Sequence, residues 1–383
     1  MTMVIGGRNL PVAIMATELH PSDVETGAVE LKEKLSAEQF RDWYRERQYR
    51  QNIENGTPFF NENGHVSNPE RHSPSQLVQC HRKMFYRQHN APEENSEPSG
   101  IYWFGTRFEE DIVFPFLERW VTDRNAYVQN SIWVDFVVET EGGKLRIKGA
   151  TDPVIVDRDA TPVLPTEIKT KSSVANLSSP SRHHKAQLHA YLYGLSEKYE
   201  IKLTQGVLIY GGRDSLETRF FHVKFDEQFW EDTVIRWAKD HTDYRLNEEL
   251  PPPVPEYDWE CKFCEYRERC GKGETSGEDY GASGFVQEFS GYPIEKVVEY
   301  LEGYPDEYLT PTLAQQFPHL TEDYGVLRWY CRSCDSTVGV QGITESTDPL
   351  CPECADRGSI SHLKLRADSR DNAGSTESND GER

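Results

Sequence analysis

Between Ser131 and Lys171 the apolar positions recur at every second residue. Ile132-Trp133-Val134 leads to a Gly142-Gly143 turn, Leu145 and Ile147 alternate after it, and Pro153 to Val156 and Val163 to Lys169 follow. A period of two with glycine turns predicts a largely antiparallel set of strands. The period then lengthens: residues 181 to about 199 read as a helix, Gly206 to Tyr210 and Arg219 to Val223 as strands, and Asp226 to about Asn247 as a second helix. Pro251-Pro252-Pro253 stops that helix. Upstream, Ser73-Pro74-Ser75-Gln76 has the form of a capping box opening a helix that carries Leu77, Cys80, Met84 and Phe85. Another helix is expected from Gly105 into Glu118-Arg119-Trp120, and it contains Glu109 and Glu110. Helices, a meander, a helix, strands and a helix make the class α/β, a mixed sheet flanked by helices.

The flanks are less regular. Residues 1–70 offer one helix near Ala37 to Gln51 and no chemistry. Residues 274–325 are acidic and rich in Gly and Tyr, with one helical stretch near Pro293 to Glu302, and read as a connector; 366–383 read as a disordered tail. No run approaches the roughly 18 apolar residues of a membrane span, and no basic stretch followed by an apolar one opens the chain. A soluble, cytoplasmic protein with no membrane partner is the expectation. The net charge of −22 runs against a polyanion partner, but it is spread along the whole chain and Arg outnumbers Lys. A solvation adaptation to a high-salt, halophilic interior accounts for it, and binding of an anionic partner then rests on local cations and metal.

The eight cysteines divide without remainder. Cys331-x2-Cys334 and Cys351-x2-Cys354, sixteen residues apart, have the spacing of two knuckles closing a tetrahedral site, a small C-terminal zinc ribbon at 326–365 that holds Zn²⁺. Cys80 stands alone before the strands, and Cys261-x2-Cys264-x5-Cys270 stands after them. Thiolates joining such distant segments form a clasp, for which zinc and iron-sulfur are both chemically suited. Arg82, Lys83, Arg267 and Arg269 flank it and are candidates for holding a nucleic-acid strand.

Inside the clasp, Asp152 and Glu167 are placed to bind a hard cation, Mg²⁺ or Mn²⁺. Strand alternation sets Glu167 and Lys169 on one face and Ile168 on the other, so Lys169 can orient or deprotonate a water and stabilise developing charge. Gln187 and Tyr191, four apart, share a helix face. This order of residues suits metal-assisted cleavage of a phosphodiester.

From Ser73 to Gly273 the chain resembles a RecB-type PD-(D/E)xK nuclease. It is most similar to CRISPR-associated exonucleases and AddB-type nuclease domains that carry a four-cysteine iron-sulfur cluster. Gly149-x2-Asp152, Glu167-Ile168-Lys169 and Gln187-x3-Tyr191 carry the resemblance. It implies a restriction-endonuclease-like nuclease domain over 71–273 and a [4Fe-4S] cluster on Cys80, Cys261, Cys264 and Cys270. It further implies exonuclease action on single-stranded DNA ends, in repair, recombination or CRISPR adaptation, with a helicase or CRISPR integrase as partner. Where the family usually has a metal-ligating histidine four residues after a glycine, this chain has Glu109, which the resemblance makes a third carboxylate ligand. The competing reading is a DNA-binding or complex-scaffolding protein that keeps the fold without the activity.

Overall fold

The computed structural model describes residues 35–54, 66–96, 98–122, 124–274, 281–338 and 350–367. The chain divides into two compact units, residues 1–61 and 62–383. In the first, helix α1 spans Ala37–Glu54. Everything below belongs to the second.

Two sheets form the scaffold. The strands β1 (Arg71–His72), β3 (Trp133–Thr140) and β4 (Gly143–Ala150) make a three-stranded sheet in the order β1-β4-β3. The larger sheet runs β2-β5-β6-β7-β8, built from Ala126–Gln129, Val154–Asp157, Pro162–Lys171, Gln205–Gly212 and Thr218–Lys224. Its central pair β6 and β7 is parallel, and the other neighbours are antiparallel, so the sheet is mixed. A parallel pair needs a crossover, and α5 (Arg182–Tyr199) supplies it.

Each face of β6 meets a different layer. Ile168 packs with Phe108, Val113, Leu117 and Val121, which come from α3 (Ser99–Arg107), a π-helical turn (Phe108–Val113) and α4 (Phe114–Val121). Phe108 lies so close to β7 that a Cβ on Gly211 would meet its ring at 2.3 Å. Beneath the other face is the main core, where Leu188, Leu192 and Leu195 of α5 join Val134, Ile147, Leu208 and Trp230. The last helical run, from Glu227–Phe229 through a π turn to α6 (Arg236–Leu246), closes this core against α2 (His81–Gln88).

Three expectations are revised. Ser73 caps only a short 3-10 turn, Pro74–Gln76, and makes no side-chain cap bond; α2 starts later, with Cys80 at its N-cap. The predicted helix at Gly105 starts six residues earlier, at Ser99, and is interrupted by the π turn. Within the stretch expected to be a connector, α7 (Ile294–Gly303) and α8 (Pro311–Gln316) enclose a cluster of Phe285, Val286, Tyr292, Val297, Tyr300, Leu301, Leu309, Leu313 and Leu320. It docks beside α3 through Lys296–Glu93 at 3.0 Å and Ser96–Glu295 at 2.8 Å.

The C-terminal sheet has the order β10-β9-β11, from Thr337–Val338, Leu327–Cys331 and Leu363–Ala367, with α9 (Pro352–Asp356) between the knuckles. Among the described residues no helix is long and apolar enough to cross a membrane.

Candidate active site and cysteine centres

The bend from β4 to β5 brings Asp152 against β6. Gly149 permits it, because a Cβ there would meet the ring of Pro74 at 2.7 Å. Thr151 then locks the bend by exchanging bonds with the backbone of Ile132, one of them to its hydroxyl at 3.0 Å. Asp152 accepts the Ile168 amide at 2.6 Å, which fixes its carboxylate beside Glu167. Asp152 therefore comes from a loop edge against β6 rather than from a strand.

Glu167 is fully buried on the α5 side of β6, where its carboxylate pairs with the Lys169 ammonium and takes a hydrogen bond from the Tyr191 hydroxyl. Gln187 donates to the Tyr191 hydroxyl at 2.7 Å, so the two helix residues act as one unit aimed at Glu167. Burial, and then the charge of Asp152, push the Glu167 carboxyl up to about 8. Asp152 is raised as well, by burial. Burial works against the Lys169 charge, but Glu167 and Asp152 outweigh it and hold the ammonium protonated.

The π turn directs Glu109 inward. Burial and the charges of Asp152 and Glu110 raise it to about 7, and it also feels Lys169, so it shares the field of the site. Its neighbour Glu110 is exposed and pairs with Arg107 at 3.2 Å. A π turn widens the helix by one residue, and such turns recur at functional sites.

Sequence reasoning missed the residues that extend this cluster. Lys171 continues the alternation of Glu167 and Lys169, and its ammonium lies 5.7 Å from the Tyr210 ring. His184 hydrogen-bonds the Tyr210 hydroxyl at 2.8 Å, and His183 faces Glu256 at 3.3 Å. The i+2 pattern would have found Lys171; the others meet only through the fold.

Cys80, Cys261, Cys264 and Cys270 all line one cavity of about 250 Å³. Burial raises the Cys80, Cys264 and Cys270 thiols, the last two to about 12 and 11. The flanking cations are already engaged, Arg82 in part with the Cys270 thiol. Arg82 donates to the Pro251 carbonyl at 2.6 Å, Lys83 and Arg87 pair with Glu265, and the buried Arg269 donates to the carbonyls of Gly281, Ser283 and Gly284. Arg267 donates to the Lys272 carbonyl at 3.1 Å. The expectation that this set presents a free cationic surface is revised accordingly for Arg82 and Arg269, which are buried.

Cys331, Cys334, Cys351 and Cys354 bring their sulfurs within 4.8 Å of one another. Cys331 and Cys354 are 3.7 Å apart, and Cys334 and Cys351 3.6 Å. A zinc ion with thiolates at about 2.3 Å sets tetrahedral neighbours about 3.8 Å apart, so this quartet matches a single ion. The clasp quartet is not among the groups this tight within the described residues. Its four cysteines line a common cavity instead.

A model of the PD-(D/E)XK nuclease superfamily matches residues 30–271. The CRISPR-associated exonuclease Cas4 of Saccharolobus solfataricus is 33% identical over 130 residues, which are 34% of this chain and 54% of that protein. The chain thus spans about half the length of that curated relative. The solved structure "Crystal structure of SSO0001" aligns with a TM-score of 0.40 at 22% identity, over 62% of this chain and 100% of the other.

Proposed function

Because the chain belongs to the PD-(D/E)XK nuclease superfamily, we propose that it is a divalent-metal-dependent deoxyribonuclease acting on single-stranded DNA ends. Glu167 carries the reading. A fully buried carboxylate that pairs with Lys169 and shares its surroundings with Asp152 and Glu109 lacks countercharge, since Lys169 supplies a single positive charge against three acids. Mg²⁺ or Mn²⁺ held by Asp152, Glu167 and Glu109 would lower the pKa of a bound water and neutralise charge on the cleaved phosphate.

The chain's own groups do the rest. Lys169, held protonated, donates to a phosphate oxygen as charge accumulates there; its role is electrostatic rather than that of a base. Tyr191, fixed by Gln187, sets the orientation of Glu167. The Ile168 amide keeps one Asp152 oxygen engaged and leaves the other for the cation.

The likeness to a CRISPR-associated exonuclease supports cutting from an end and favours CRISPR adaptation, beside an integrase, over repair with a helicase. We assign the cavity of Cys80, Cys261, Cys264 and Cys270 to a [4Fe-4S] cluster and the C-terminal quartet to Zn²⁺; the room in the cavity and the close packing of the C-terminal sulfurs support this.

The test compares wild type with Lys169→Ala on end-labelled single strands in Mn²⁺. A loss of about 10²- to 10³-fold in kcat is expected, the size of removing one charge-stabilising donor. Equal cleavage by both proteins would sink the assignment of the site, and cleavage by neither would support the scaffolding alternative.

A further inference from the structure

We infer that Glu256 is a positioning residue that couples the cysteine cavity to the helix carrying Gln187 and Tyr191; this rests on the active site proposed above. The N-terminus of α5 has no cap of its own, because Ser181 at the N-cap position makes no side-chain cap bond. Glu256, 74 residues away in sequence, replaces it. One of its oxygens accepts the Arg182 amide at 3.0 Å, and the other faces His183 Nδ1 at 3.3 Å. A carboxylate on the open amides at a helix start meets both their unpaired donors and the positive end of the helix dipole.

The other end of the connection is the cavity. Glu256 lies five residues before Cys261, at the close of the stretch Pro251-Pro252-Pro253-Val254-Pro255, whose prolines restrict the backbone. The 3-10 turn Asp258–Phe263 follows and carries Glu260 and Cys261. Glu260 joins Glu256 and His183 in a group whose ligand-type atoms all lie within 4.8 Å. Glu256, Glu260, His183 and the four cysteines line the same cavity. A stiff segment anchored at Cys261 therefore ends on the first turn of α5, and Gln187 stands one turn further along. Gln187 holds Tyr191, and Tyr191 holds Glu167.

Filling the cavity fixes Cys261, the turn fixes Glu256, and Glu256 fixes where α5 begins. With the cavity empty, the core contacts of α5 keep the helix folded, while its first turn and Gln187 lose their alignment. The consequence falls on turnover rather than on DNA affinity, since a small misplacement in a site can cost about 10²-fold in rate.

The test uses full-length Glu256→Ala and Glu256→Gln proteins, purified anaerobically. In Glu256→Ala, kcat on single-stranded DNA should fall 10- to 100-fold with KM within about twofold, at unchanged metal and sulfide content. Glu256→Gln keeps an acceptor for the Arg182 amide and should recover part of that loss. Independently of activity, amide exchange at residues 182–187 should quicken in Glu256→Ala with 190–199 unchanged, and in metal-stripped wild type residues 182–187 should quicken more than 190–199. Unchanged exchange at 182–187 in both proteins overturns the coupling whatever the kinetics show, and so does a fall in kcat accompanied by loss of the cavity's metal. If Lys169→Ala cleaves like wild type, the nuclease site has been misassigned, and the exchange result decides the coupling alone.

Discussion

The two cysteine quartets use the same ligand in two different ways. In the C-terminal ribbon the sulfurs are already at 3.6 to 3.7 Å, and hydroxyls support them: Ser361 lies 3.3 Å from the Cys331 sulfur, and Ser336 lies 3.0 Å from that of Cys334. The Ser361 contact holds the Cys331 thiol down to about 6, close to the thiolate a metal needs. Burial pushes up Cys354 in the ribbon as it does Cys264 and Cys270 in the clasp, but the clasp cysteines line a cavity. The hairpin of β9 and β10 and the short helix α9 assemble the first site, whereas the second needs the whole nuclease domain between residues 80 and 261 to fold. Ligand type is the same in both; what differs is how far along the chain the ligands must be brought together.

The largest effect should come from breaking the clasp. Cys264→Ala removes a link that closes a loop of roughly 180 residues, and closing such a loop stabilises by about 5 kcal/mol in chain-entropy terms. Calorimetry should show the main unfolding transition of the nuclease region shifting down by more than ten degrees, or aggregation on purification. Cys351→Ala should leave that transition in place. If both variants behave alike, the two quartets are not independent.

Metal analysis separates them next. Anaerobic protein should contain iron and sulfide together with one zinc, and treatment with a chelator should take the zinc while the visible absorbance persists. Two zinc ions and no sulfide would reassign the cavity to zinc and leave the active site untouched.

Acid should then distinguish the regions. Next to Cys80, His81 lies 3.3 Å from His241, which bonds Gln88, while His72 bonds Thr242. Burial lowers His72, His81 and His241 to about 3, 4 and 2. Each ring is neutral in the fold and takes a proton near pH 6.5 in the unfolded chain, so its contribution is full above 6.5 and is lost as the pH falls toward 4. Thermal melts between pH 7.5 and 4.5 should show the nuclease transition dropping, with a shallower slope for His241→Gln. A slope that does not change would assign the acid sensitivity elsewhere.

The smallest effect belongs to the ribbon's outer contacts. Ser361→Ala removes the hydroxyl beside Cys331 and should weaken zinc about tenfold, read by competition with a chromophoric chelator, with no change in DNA cleavage.

Much of the site was legible because strand and helix periods project side chains predictably. Glu167 and Lys169 share a face, Ile168 takes the other, and Gln187 bonds Tyr191, all as alternation and i,i+4 spacing require. The helix boundaries near Ser73 and Gly105 were less legible. A capping box is a local preference, and here it yields to the packing of Pro74 against Gly149, which keeps the turn short. The charged residues misled most: Arg82 and Arg269 read as candidates for holding DNA, yet both are buried and donate to backbone carbonyls. The packed cluster of residues 285–320 was hidden in an acidic, tyrosine-rich stretch because its apolar residues are spread over short helices and turns, with no single period to announce them.

By itself the sequence determined the α/β class, the shared face of Glu167 and Lys169 and the partition of the cysteines, since each depends on spacing along one stretch of chain. Only the tertiary structure decided which quartet is tight and which lines a cavity, that Glu109 rather than Glu110 turns toward Asp152, and that Glu256 caps α5. Those outcomes depend on distances between segments far apart in the chain, and packing rather than local preference sets such distances.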